Sequence, residues 1–258
     1  MGAQGIAVKQ YAAIVEGGAE PVPGTRLLLL NCPQLSESAR PGQFVMVRCG
    51  HGYDPYLRYP LPIHRLRPQG IALYFRSSEP SIAWLGAQQI GETVDLLGPC
   101  GRGFDLPGEL SNLTLIYQGM GIGPLAAILD RTRCAVQIIS EAPTPSQVYP
   151  RELLPRFVEF LPFVGHEQSE ALWHAVEEAC RWSERVYAAG SRGLCHRLAQ
   201  SIARSRFGLR EGIAQVWVEA EMACGRGICQ SCLTETRSGL KHACLDGPVF
   251  DLANLEEA

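Results

Sequence analysis

The sequence predicts a β-barrel followed by a small α/β domain and a compact cysteine-rich module at the C-terminal end. Three observations carry this reading. Short apolar runs punctuated by Gly and Pro fill residues 6–107, the texture of a closed barrel or sandwich. From about Leu113 the rhythm changes to alternating strand and helix, which implies a parallel sheet with helices on both faces. Near the end, Cys224, Cys229 and Cys232 are spaced C-x4-C-x2-C, and Cys244 follows after eleven residues. The expected boundaries are residues 1–108, 109–212 and 213–258.

The barrel strands are expected at residues 7–16, 25–31, 43–48, 71–76 and 93–97. Turn signals separate them: Pro21-Val22-Pro23-Gly24, Arg40-Pro41-Gly42 and Gly98-Pro99. A helix is expected over 81–89, with Pro80 near its start and Gly91 just past its end. In the second unit a strand over 113–117 leads into Gly119-Met120-Gly121-Ile122-Gly123-Pro124. A helix over 125–131, a strand over 135–140 and a helix over 169–181 follow, the last with Leu172, Val176 and Ala179 on one face. A strand over 185–189, a helix over 192–206 and a strand over 213–218 deliver the chain to the cysteines. Residues 233–241, with Gly239 at the turn, read as a hairpin inside the cysteine module.

Composition narrows the function classes. A chain of 258 residues suits two or three domains, and 46% hydrophobic with 19% charged residues is ordinary for a soluble globular protein. The formal net charge is −3 with no Lys/Arg cluster, so nothing points to nucleic acid or an anionic membrane. No apolar run reaches membrane-span length, and residues 1–8 lack the features of a signal peptide. Ten cysteines in a chain this long, without an export signal, do not read as a disulfide scaffold. Cys32, Cys49, Cys100, Cys134, Cys180 and Cys195 are scattered and read as small buried hydrophobes. A reducing cytoplasm is the expected location. The Glu256-Glu257 tail reads as a solvated end.

The four clustered cysteines carry the chemistry. Thiolates are soft ligands that suit zinc, copper(I) and iron–sulfur clusters. Structural zinc usually takes two C-x2-C or C-x2-H pairs, and here only Cys229 and Cys232 form one. The spacing is that of plant-type [2Fe–2S] sites. Gly225 and Gly227 allow positive φ and a close backbone approach to such a cluster. Zinc and unligated thiols are the alternatives. His51, His64, His166, His174, His196 and His242 form no metal or catalytic pattern, and four cysteines suffice without a histidine ligand. Trp217 and Met222, flanking the approach to the cysteines, read as packing residues.

The stretch Glu221-Met222-Ala223-Cys224-Gly225-Arg226-Gly227-Ile228-Cys229-Gln230-Ser231-Cys232, with Cys244-Leu245-Asp246-Gly247-Pro248-Val249-Phe250, resembles the electron-transfer subunit of heterodimeric dihydroorotate dehydrogenase (the PyrK family). Gly98-Pro99-Cys100-Gly101-Arg102-Gly103-Phe104 is similar to that family's G-P-x-G-x-G-F turn. The resemblance implies a ferredoxin–NADP reductase-type body: an FAD-binding-type antiparallel barrel, a nucleotide-binding-type α/β domain and a [2Fe–2S] module. It implies Cys224, Cys229, Cys232 and Cys244 as cluster ligands and FAD between barrel and α/β domain. The implied partner is a catalytic flavoprotein subunit that oxidises dihydroorotate, hence a hetero-oligomer. The flavin/[2Fe–2S] subunit of a sulfhydrogenase- or transhydrogenase-like complex is a second reading, and a zinc-stabilised binding module a third.

The sequence departs from the family at both nucleotide sites. Leu57-Arg58-Tyr59-Pro60-Leu61-Pro62 stands where the family has Arg-Pro-Ile-Ser, placing Tyr59 at the arginine position and Pro62 at the serine. Arg58, one position earlier, is the substitute phosphate ligand or else a solvated surface residue. Tyr74, Phe75 and Arg76 align with the family's flavin-lining strand, and Ser81 stands as a phosphate ligand or a simple N-cap. The glycine turn at 119–125 is two residues shorter than the family's, and Ala189-Gly190-Ser191 replaces its Cys-Gly-Pro, which counts against direct NAD(H) binding. The expectation is therefore a retained cluster relay, with FAD held differently, loosely or not at all.

Overall fold

The computed structural model describes residues 8–50, 52, 55–78, 80–165, 170–206 and 208–255. Expectations touching Ala7, His51, His166, Ser169, Glu256 and Glu257 lie outside the described residues. The first unit contains β1 (Lys9–Ala19), β2 (Thr25–Asn31), α1 (Pro33–Ser38), β3 (Phe44–Val47), β4 (Tyr59–Arg67), β5 (Gly70–Arg76), α2 (Ala83–Gly86) and β6 (Thr93–Cys100). Its six strands close into a barrel in the order β1-β2-β5-β4-β3-β6. Leu28, Leu30, Val45, Val47, Ile63 and Leu73 fill the interior by period-2 alternation.

Strand β4 is absent from the sequence reading because Pro60 and Pro62 lie in it, and proline cannot donate to a sheet ladder. The structure shows why they are tolerated. β4 pairs with β3 from Tyr59 to Pro62, but with β5 only from Ile63 onward. The proline segment is thus bonded on one side and open on the other. The helix expected over 81–89 is a single turn, α2, ending at Gly86, which packs against Ser77.

The second unit contains β7 (Asn112–Gln118), a 3-10 turn (Gly119–Gly121), α3 (Ile122–Leu125), a second 3-10 turn (Ala126–Asp130), β8 (Ala135–Ala142), β9 (Val158–Val164), α4 (Glu170–Trp182), β10 (Arg185–Ala189), α5 (Arg192–Ser205) and β11 (Ala214–Trp217). The hairpin β12 (Leu233–Thr236) and β13 (Gly239–His242) follows, and then β14 (Val249–Asp251). One sheet runs β14-β11-β10-β7-β8-β9, parallel except for the β11–β14 pair. Its two faces alternate: Ile116, Ile139 and Val186 pack with α4 and α5, while Leu115, Ile138 and Tyr187 pack with α3. β9 carries Pro162 and was not foreseen; as the outer strand of the sheet it needs ladder bonds on one side only.

β11 and β14 belong to this sheet, so the boundary expected at 212/213 falls inside a single layer. Barrel and sheet are also tied together. Arg65 grips Asp130 through Nε and Nη2 at 2.9 and 2.6 Å, and the Leu66 N–H donates to the same carboxylate at 2.8 Å. His64 lies fully buried between them, 3.3 Å from the Gly123 carbonyl and 2.9 Å from the Tyr149 hydroxyl. Burial, with the charge of Arg65, pushes its pKa down to about 3, so it is neutral. Donation to a carbonyl requires the Nδ1–H tautomer, leaving Nε2 to accept from Tyr149.

Candidate functional site

The glycines of the cysteine loop shape it. Gly225 and Gly227 take φ of 66° and 72°, and Gln230 follows at 62°. These left-handed residues turn successive N–H groups inward. The N–H groups of Arg226 and Ile228 both donate to Cys224 Sγ at 3.4 Å, that of Gly227 to Cys244 Sγ at 3.0 Å, and that of Cys244 to Cys232 Sγ at 3.4 Å. Burial opposes ionisation of Cys224, but the N–H groups of Cys229, Arg226 and Ile228 outweigh it and hold the thiol down at about 6. Burial, with the adjoining Cys232 sulfur, pushes Cys244 up to about 12. A metal centre reverses that penalty, since a coordinating thiol is deprotonated outright.

Backbone N–H groups thus converge on the sulfurs of Cys224, Cys232 and Cys244. Among the described residues, no three His, Cys, Asp or Glu side chains form a single-ion cage. Cys232 and Cys244 are buried, Cys224 is half-buried and Cys229 is exposed. His242 does not join them; its Nδ1 faces Asp246 at 3.9 Å.

Beside this loop lies a cleft of about 970 Å³ where all three parts of the chain meet. Arg58, Tyr59, Pro60, Leu61 and Pro62 supply one wall, and Tyr74, Phe75 and Arg76 extend it. The opposite wall is Gln118, Gly119, Met120, Gly121, Gly190 and Ser191. Trp217, Met222, Ala223 and Ser231 close the end nearest the cysteines, next to Cys224 and Cys232 in the chain. Eight of the nine expected flavin residues are therefore on one surface. Ser81 is not. It is exposed, the N-cap position of α2 falls to Ile82, and no side chain caps that turn.

Arg58 lines the cleft with its guanidinium already paired. Its guanidinium pairs with the Asp95 carboxylate at 2.8 Å and donates to the Asp95 carbonyl at 3.1 Å. Its guanidinium is engaged by a carboxylate of the barrel rather than free in solvent. Arg76 is exposed at the end of β5 and pairs with no carboxylate among the described residues.

The glycine turn differs from a dinucleotide cradle. It continues into one α-helical turn flanked by 3-10 turns, so no long helix presents its N-terminus. Gly123 packs against Pro62, with 3.2 Å between a Cβ placed there and Pro62 Cγ. Gln118 bridges the loops after β7 and β10. Its Oε1 accepts from Ser191 Oγ at 2.8 Å and from the Ser191 N–H at 3.2 Å, while Nε2 donates to Glu141 at 2.8 Å. Glu141 is buried, and its Oε1 has no hydrogen-bond partner among the described residues. Gln118 and Glu219 are absent from the sequence reading, and Trp217, read there as a packing residue, also lines the cleft. Their signal was topological, because ligands of open α/β sheets bind beyond the carboxyl ends of the strands.

Barrel, parallel sheet and cysteine hairpin around a shared cleft define a fold of the ferredoxin–NADP reductase type. A solved structure described as an NADH-dependent reduced ferredoxin-NADP oxidoreductase has this fold, with a TM-score of 0.80 at 20% identity over 95% of this chain and 90% of its own. A ferredoxin NADP+ reductase from Neisseria gonorrhoeae, solved with FAD and NADP, superposes at a TM-score of 0.64 and 18% identity, covering 81% and 98% of the two chains. Residues 219–256 match the iron–sulfur cluster binding domain of dihydroorotate dehydrogenase B. The dihydroorotate dehydrogenase B (NAD(+)) electron transfer subunit of Geobacillus kaustophilus is 30% identical over 237 residues, 86% of this chain and 89% of that protein. That of Desulforamulus reducens is 29% identical over 243 residues, 88% and 91% of the two chains. The chain belongs to the family of dihydroorotate dehydrogenase B electron transfer subunits.

Proposed function

We propose that this chain holds a [2Fe–2S] cluster on Cys224, Cys229, Cys232 and Cys244 and FAD in the adjoining cleft. It relays electrons between FAD and a separate catalytic subunit that oxidises dihydroorotate, in the cytoplasm. One observation carries the reading: Met222, Ala223 and Ser231 of the cysteine loop are also wall of the cleft. Cofactors seated in the two places are neighbours, as a relay requires.

The residues present fit the cluster. Four thiol donors at this spacing suit two irons, and inward N–H groups stabilise sulfur charge. They also fit FAD. The cleft lies at the upper end of ordinary ligand-site volumes, with Tyr59 and Trp217 as aromatic wall and Arg76 as the guanidinium for a phosphate. Trp217 is held by its Nε1–H on the Gly42 carbonyl at 3.0 Å, and Arg58 steadies the barrel rim through Asp95. When bound, flavin exchanges electrons in pairs or singly, and the cluster carries them one at a time. The protein contributes position, exclusion of water and fixed dipoles. The residues do not fit a standard NAD(H) turn, and no step is assigned to one. Ile228 and Leu245, 76% and 57% exposed beside the cysteines, give the catalytic subunit an apolar seat.

The test is the purified full chain, alone and co-expressed with a dihydroorotate dehydrogenase catalytic subunit. A visible spectrum with an iron–sulfur envelope, a paramagnetic resonance signal on reduction, FAD in the acid extract and co-purification of the subunits are expected. Colourless protein holding zinc overturns the cluster, and a flavin-free extract overturns the cleft assignment.

A further inference from the structure

Strand β3 has two faces with different neighbours. Val45 and Val47 point into the barrel core, whereas Phe44 and Met46 join the core that holds Met222, Cys232 and Cys244. On the neighbouring strand β6, Cys100 stands across from Phe44. Met46 is 1% and Cys100 0% exposed. Both lie against Gly225. A Cβ placed on Gly225 would stand 2.7 Å from Met46 Cγ, 3.2 Å from its Sδ and 3.7 Å from Cys100 Sγ. Gly225 follows Cys224 directly, and the next residues supply the N–H groups that bond the Cys224 sulfur. The height of this floor therefore fixes where Cys224 and its donors lie. The Cys100 S–H is turned to the Leu97 carbonyl at 3.6 Å.

We propose that Met46 and Cys100 form an apolar seat that positions the cysteine loop and, by excluding water behind Cys224, holds the cluster's reduction potential down. The proposal rests on the cluster reading above. Reduction adds negative charge to an already anionic centre, and burial among apolar atoms disfavours that charge. Cys100 fills the variable position of the G-P-x-G-x-G-F turn, so the seat belongs to this chain's own sequence. Met46 and Cys100 are positioning residues; neither is a ligand.

The experiment uses the full chain in four variants: Met46→Ala, Met46→Leu, Cys100→Ala and Gly225→Ala, with Gly225→Ala repeated in the Met46→Ala background. Iron content, thermal midpoint and a redox titration followed by paramagnetic resonance are measured. Met46→Ala and Cys100→Ala are expected to keep iron while raising the reduced-to-oxidised ratio at fixed ambient potential about tenfold, a 59 mV shift for one electron. Met46→Leu, which refills the volume, restores the native midpoint. Gly225→Ala lowers iron content, and Met46→Ala partly rescues it by making room. Cys100→Ala carries the potential test by itself if Met46→Ala does not fold. Unchanged midpoints in an iron-loaded Cys100→Ala protein, or equal damage by Gly225→Ala in both backgrounds, overturn the seat alone. An iron-free wild-type chain overturns the cluster reading first.

Discussion

Two glycine turns of this chain look alike in sequence and do opposite work. In the cysteine loop, Gly225 and Gly227 take positive φ and aim N–H groups at sulfur. In the turn after β7, Gly121 lies tight against the Ala189 backbone, Gly123 packs on Pro62, and the Gly123 carbonyl receives His64. The first turn surrounds a set of sulfurs with donors, and the second makes a joint between barrel and sheet. Glycine content alone does not separate them; the destination of the N–H and C=O groups does.

The comparison breaks most visibly at the cysteines. Cys232→Ala or Cys244→Ala is expected to abolish iron binding, measured as iron per chain, while Cys134→Ala, outside the loop, leaves it intact. Retained iron in either loop variant would end the reading of that turn as a ligand surface.

A smaller effect tests the joint. Neutral His64 holds the Gly123 carbonyl with a pKa near 3, against about 6.5 in the unfolded chain. Between those values the unfolded state binds the extra proton, so stability falls as pH drops below about 6.5, by up to about 1.4 kcal/mol per unit. Denaturant midpoints at pH 7 and pH 5 should differ by correspondingly more in the native chain than in His64→Phe. Equal differences would remove His64 from the joint.

Substitution within the turn sharpens the contrast further. Gly121→Ala crowds the Ala189 carbonyl and is expected to cost about 1–3 kcal/mol. Gly119→Ala meets open space and bears only the left-handed backbone cost of roughly 1 kcal/mol. Thermal unfolding ranks the two, and the reverse order would mean the turn is not a packing device.

The smallest expected effect separates the two arginines of the cleft. Arg76→Ala should weaken FAD binding about tenfold, as loss of a charge-assisted hydrogen bond does, read by fluorescence titration. Arg58→Ala should instead lower stability by about 1 kcal/mol or less, with flavin affinity unchanged, because its charge already belongs to Asp95.

What was legible in the sequence was local. The cysteine spacing spans 21 residues and announces itself, and β2 was read at both ends because its apolar run is bounded by turns. What escaped was decided at a distance. Pro60 and Pro62 concealed β4 until its unpaired side was visible, and Pro162 concealed β9 in the same way. The fate of Arg58 hangs on a carboxylate 37 residues later. The cleft draws its walls from all three parts of the chain, so sequence found the barrel side through family likeness, missed Gln118 and took Trp217 for packing alone. The shortened glycine turn was legible as a departure, but its role as a joint was not.

The cysteine hairpin leaves the large sheet at Trp217 and the chain re-enters that sheet at Val249, directly alongside. It is stitched in at both ends, so no single-stranded tether lets it swing. Electrons must therefore cross a span fixed by the folded body, and any docking enzyme has to come to the hairpin. Any truncation short enough to remove the thiols also removes β14, a strand of the large sheet, which makes this redox centre hard to lose without disturbing the fold.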